Sequence, residues 1–221
     1  MKKTILFISL LWLPFWASAQ WSVNINGGAG IAKEWERQPP NAQSTLPTVS
    51  FYSTPGYSFQ GGIDAIYYIT PHFGLGSGVV YSHNRSLDDY IEIIKIYWHS
   101  ETIKIPLTLQ WTLGSSLRST IQFGFYLNIN LRQHEFDSVG SITYRDKPFF
   151  MGLRLGYAYK LGNRLSLGIL FNEDLNGFMN EIYQDYRRGI TYKSYNRYYF
   201  TTQITFSYRL FGEVPVGKHR R

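Results

Sequence analysis

Five charged side chains stand where chemistry in a confined space would need them: Asp64, Lys104, Arg132, Arg154 and Arg209. Each belongs to a run in which apolar residues recur at every second position, and each lies on the opposite, polar phase. Gln110, Gln122, Asn128 and Asn130 share that phase. If the polar face is enclosed, low-dielectric surroundings penalise unpaired charge, so the five are expected to form paired or hydrogen-bonded networks. A second concentration is aromatic and cationic: Tyr183, Tyr186, Tyr192 and Tyr195 interleave with Arg187, Arg188, Lys193 and Arg197. Rigid aromatic surfaces beside cations suit a glycan, another protein or a lipid-borne phosphate. The alternative is that these tyrosines continue the flanking strands as a ridge.

Catalytic readings have less to rest on. His83, His99 and His134 occur near Asp88, Asp89, Asp137 and Ser138. Acid–base work needs such groups within roughly 3 Å of one another, and nothing in their spacing imposes that. They are expected to be solvated loop residues, and no catalytic residue is assigned. The chain has no cysteine and no compact ligand motif, so neither a metal nor a cofactor is expected.

The elements that must position these groups are strands. From Glu101 to Arg132 two long runs alternate across a polar turn: Ile103, Ile105, Leu107, Leu109 and Trp111, then Ile121, Phe123, Phe125, Leu127 and Ile129. Period two places successive side chains on opposite faces of a sheet. The same pattern predicts strands over Trp21–Ala32, Gly56–Thr70, Phe73–Tyr81, Phe149–Lys160, about Leu165–Asn172 and Arg197–Phe211. Long polar links (Lys33–Pro55, Ser82–Ser100, Gln133–Lys147, Glu173–Asn196) alternate strictly with short ones. Within them, Tyr90–Trp98 suits either a strand extension or a short helix, and Val139–Tyr144 a projecting hairpin. Eight antiparallel strands so connected form an all-β, up-and-down transmembrane barrel. Its four long loops gather at one end, and three short turns and both termini at the other, the asymmetry of outer-membrane barrels.

Charge phase alone does not say which face is outside, because a soluble barrel would reverse it. Three features favour lipid outside. Residues 1–19 read as a signal peptide, with Lys2 and Lys3, an apolar run and Ala17-Ser18-Ala19 before Gln20. Trp21, Tyr57, Tyr81, Trp111, Tyr157, Tyr159, Phe200 and Tyr208 fall near strand ends, where interfacial girdles form. Inward glycines beside Asp, Asn and Arg also suit a narrow, filled lumen. The barrel is expected over 20–211 and a short basic periplasmic tail over 212–221. Cleavage after Ala19 removes Lys2 and Lys3 and lowers the formal charge from +7 to +5, and the remaining cations are dispersed. With no basic helix, no nucleic-acid partner is expected.

The export signal, the segment Ile103–Trp111, the hairpin Gly152–Gly168 and the strand Phe206–Phe211 together resemble the small outer-membrane barrels of Bacteroidota, the PorT-like or OmpA/OmpX-like group. The resemblance implies outer-membrane location and insertion by the barrel assembly machinery, which reads a last strand ending in an aromatic. Here Phe211 is followed by Gly212–Arg221, a departure from that pattern. The function expected is non-enzymatic, structural or surface-recognising. Partners would be outer-membrane lipids, lipopolysaccharide and an envelope protein. The alternatives are a narrow channel or small-ligand conduit, a subunit of an envelope or secretion assembly, and a loop-end hydrolase or acyltransferase.

Overall fold

The structure, a computed structural model, describes residues 20–37, 52–90, 94–131, 135–138, 142–177, 179–185 and 190–212. The signal segment, Arg132, His134 and nearly all of the basic tail lie outside the described residues. Among the described residues every regular element is a strand: β1 (Gln20–Arg37), β2 (Tyr52–Thr54), β3 (Gly56–Tyr68), β4 (Phe73–Tyr90), β5 (Ile94–Leu113), β6 (Ser119–Asn130), β7 (Glu135–Ser138), β8 (Ile142–Asp146), β9 (Phe149–Lys160), β10 (Leu165–Asp174), β11 (Met179–Asp185) and β12 (Ile190–Gly212). Eight of them form the wall in the order β1-β3-β4-β5-β6-β9-β10-β12, and β12 pairs back onto β1 to close it. Every pairing is antiparallel, from Ser22↔Gly212 to Arg37↔Asn196 along the closing seam. A bulge at Leu210 leaves Val23 opposite Phe211 but Asn24 opposite Arg209, the usual effect of one extra residue in one strand.

The apolar phase faces out. Ile63 on β3, Val79 on β4, Leu107 on β5, Leu155 on β9, Ile169 on β10 and Ile204 on β12 are each between 45% and 65% exposed. Their register partners around the wall are apolar too, as in Ile25↔Ile63↔Val79 and Leu107↔Phe125. A continuous apolar belt of this kind has no stable place in water, whereas in hydrocarbon it is the solvated face. The backbone groups behind it are satisfied within the ring, as hydrocarbon requires. At the short-turn end the belt is bordered by aromatics: Phe73 stacks on Trp111 at 5.9 Å and Trp21 lies 5.0 Å from Tyr67. Tyr57, Tyr81 and Phe200 border it at the other end.

The three short turns have local chemistry that fixes them. In the first, Thr70 Oγ1 accepts from Phe73 N at 3.0 Å. The second opens on Gly114, whose φ of 69° is open to glycine without a Cβ clash. In the third, Leu161 N donates to Leu165 O at 2.9 Å.

The strands outrun their hydrophobic signal at the long-loop end. In the stretch Tyr90–Trp98 the described residues, Tyr90 and Ile94–Trp98, are strand rather than helix: Leu87↔Tyr97, Asp88↔Ile96 and Asp89↔Lys95 extend the β4–β5 ladder. Most of the Ser82–Ser100 link is therefore paired backbone. The Glu173–Asn196 link likewise contains β11 and the first residues of β12. The projecting hairpin forms from β7 and β8, with Glu135↔Arg145 and Ser138↔Ile142, slightly displaced from Val139–Tyr144. Register set in the belt carries a ladder into polar sequence, because backbone pairing asks nothing of side-chain hydropathy. Together β7, β8, β11 and the start of β12 make a small sheet continuing beyond the barrel rim.

Candidate functional site in the barrel lumen

Inward positions on the eight strands are small or polar, and their side chains meet across a narrow interior. Toward the long-loop end they form a plug around Asp174, the last residue of β10. Asp174 Oδ1 accepts from Tyr126 Oη at 3.0 Å and from Asn128 Nδ2 at 3.5 Å, while Oδ2 accepts from the backbone N of Tyr199 at 2.9 Å. Lys104, 3% exposed, reaches from β5 with its Nζ 4.9 Å above the Tyr126 ring, and Asp174 is its attracting charge. The ammonium is therefore stabilised by a ring face and a carboxylate together. Tyr126 can lie flat across the lumen because position 152 has no side chain: a Cβ on Gly152 would meet the ring and its hydroxyl directly. Beside the plug, Ser58 Oγ receives Gln203 Nε2 at 2.6 Å, and Asn172 Nδ2 donates to Thr201 Oγ1 at 3.1 Å. Nearer the rim, Ser86 Oγ donates to Glu34 Oε2 at 2.9 Å.

Toward the short-turn end the arrangement is looser. Asp64 accepts from Asn24 Nδ2 at 2.9 Å and from Asn26 Nδ2. Arg154, 8% exposed, is the cation that Asp64 attracts. Lys160 and Arg209 line the same space farther down.

Of the five lumen residues singled out in the sequence, Asp64, Lys104, Arg154 and Arg209 face inward, and Arg132 lies outside the described residues. Among the described residues, Asp64, Lys104, Arg154 and Arg209 are not joined to one another as direct ion pairs. On the outer wall His83 Nδ1 lies 3.8 Å from Glu101 Oε1. Neutral amides and hydroxyls satisfy the carboxylates, and the cations act on them through space. Asp174 and Glu34 were assigned to links by sequence reasoning and prove to be 4% and 2% exposed. The signal that finds them is phase: Asp174 continues Leu170 and Asn172, and Glu34 continues Ala32.

His83 and His99 are strand residues on β4 and β5, not loop residues. His83 stacks on Tyr57 at 5.8 Å between ring centroids, and Arg85 lies over the same tyrosine. This group borders the apolar belt on the outside, away from the lumen. Among the described residues no three metal-ligating side chains converge.

For the aromatic and cationic stretch, backbone register can be given. Tyr183 stands opposite Tyr192, Lys193 opposite Ile182, Tyr195 opposite Glu181, and Arg197 between Met179 and Glu36. Tyr186, Arg187 and Arg188 lie outside the described residues, in the connection from β11 to β12.

No family model matches the chain, and no curated protein matches it in sequence. Among solved structures, the outer membrane protein OprG from Pseudomonas aeruginosa superposes with a TM-score of 0.50 at 11% identity, over 86% of this chain and 96% of OprG. The outer membrane protein AlkL, solved in lipid bilayers, gives 0.49 at 12% identity, over 87% of this chain and 92% of its own. Neisserial surface protein A gives 0.45 at 15% identity, over 87% and 99%. At such identities the fold is what is shared, and it is the closed eight-stranded barrel of outer-membrane proteins.

Proposed function

We propose that the protein is a non-enzymatic outer-membrane barrel that fills its own lumen and works through its surface. In this reading the long loops face the outside of the cell and both termini the periplasm. The observation that supports it is the plug: Tyr126, Asn128, Leu170, Asn172 and Gln203 are all under 2% exposed, and they meet across the interior. An eight-stranded barrel is just wide enough for side chains to fill. What remains available for recognition is the sheet beyond the rim, and the surface proposed for it comprises Tyr183, Tyr186, Arg187, Arg188, Tyr192, Lys193, Tyr195 and Arg197. Lipopolysaccharide phosphate is the partner their chemistry suits. Kinship with the Bacteroidota PorT-like group, insertion by the barrel assembly machinery and a place in an envelope assembly belong to the same proposal.

The test is electrical. Purified mature protein reconstituted in a planar bilayer should pass no current above leak. Regular stepwise conductance from the unaltered chain would replace the plugged barrel with a narrow channel.

A further inference from the structure

Below the plug, the lumen widens into a cavity of about 130 Å³ reaching the short-turn end. Four cations line it: Arg154 at the inner end, with Lys160, Arg164 and Arg209 nearer the mouth. Asp64 is the one carboxylate among the lining residues, and its oxygens already accept from Asn24 and Asn26. We propose that this vestibule is a binding site for a small oxyanion group, of the size and charge of a phosphate, entering from the short-turn end.

Three observations carry the assignment. Arg154 is 8% exposed, yet its Nε–H has no hydrogen-bond partner among the described residues. A buried guanidinium donor left unused is costly, and an oxyanion is the acceptor that its fork geometry fits. Lys160 and Arg209 repel each other across the mouth. An anion between them would turn that repulsion into attraction and would be drawn inward by a cleft lined with one sign of charge. Size sets the ligand class. A cavity of about 150 Å³ takes up a molecule as large as benzene, so this slightly smaller one holds one phosphate-sized group with a little water. A sugar chain or peptide would not fit. Gln110 and Gln122 add neutral donors to the wall, as a site that orients an oxyanion requires.

The site goes beyond the plugged-barrel reading and can fail separately from it, since one is read by binding and the other by current. The experiment uses the full mature barrel in zwitterionic detergent at low salt, titrated with inorganic phosphate. Heat is measured by calorimetry, and the side-chain Nε–Hε signal of Arg154 by NMR. A saturable shift of that signal is expected, weakening as chloride rises. Arg154→Gln, and separately the mouth variant Lys160→Gln with Arg209→Gln, should each weaken binding by roughly tenfold. Lys33→Gln, on the outer wall, should change nothing. The mouth variant keeps the test decisive if Arg154→Gln does not fold. The absence of a saturable shift, or equal affinity in the mouth variant and Lys33→Gln, would overturn the site.

Discussion

At the scale of single residues, the lumen is ordered by which carboxylates receive hydrogen bonds. Asp174 accepts from a tyrosine, an asparagine and a backbone amide, and it is also the charge that faces buried Lys104. Asp174→Ala removes all of this and leaves an ammonium enclosed without its counter-charge, which should cost about 3–5 kcal/mol of unfolding free energy. Asp174→Asn keeps an acceptor of the same shape and should lose less. Denaturant titration of both variants in detergent checks the order, and equal losses would show that the counter-charge to Lys104, absent from both variants, outweighs the hydrogen bonds that Asn retains. Lys104 and Arg154 were legible in the sequence because alternation put them on the polar phase between apolar neighbours. Asp174 was not, because the residues after it lose their alternation and hydropathy alone ends the strand before it. The mate of Lys104 is thus harder to read than Lys104 itself, whereas Asp64, which faces Arg154, lies within clear alternation.

At the scale of elements, the belt-spanning parts of the strands follow the hydrophobic pattern closely, and β9 matches its expected span from Phe149 to Lys160. Beyond the belt, pattern and pairing separate. Asp88 and Asp89 read as loop but stand in a ladder, since backbone pairing asks nothing of side-chain hydropathy. The β11–β12 hairpin is another such case, and its connection contains Arg187 and Arg188. If this hairpin recognises lipopolysaccharide, Arg187→Ala with Arg188→Ala should weaken binding of the isolated glycolipid by about tenfold while leaving barrel stability within about 0.5 kcal/mol. Unchanged binding in a pull-down or calorimetric titration would leave the tyrosines as a ridge only.

At the scale of the molecule, the decisive property is which face meets solvent. Strand count, the sorting of long and short links and the alternation were all visible in the sequence. Inside and outside were not fixed by phase, since a water-soluble barrel uses the same alternation with the faces exchanged. The belt of exposed Leu, Ile, Val and Phe around all eight strands resolves it. Leu107 lies near the middle of that belt and is 63% exposed. Leu107→Arg should therefore destabilise the barrel in lipid vesicles by about 2–4 kcal/mol, measured by reversible denaturant unfolding. A smaller effect, or a stabilising one, would mean that this face does not sit in hydrocarbon.

The seam between β1 and β12 joins the first described strand to the last, over partners from Ser22 to Arg37. No arc of this ring is complete in itself: until its final strand is in place, β1 offers a row of bare amides and carbonyls that oil cannot solvate. Insertion must therefore be nearly all-or-none. Any helper that escorts the polypeptide to the bilayer has to shelter two open margins at once and release them together.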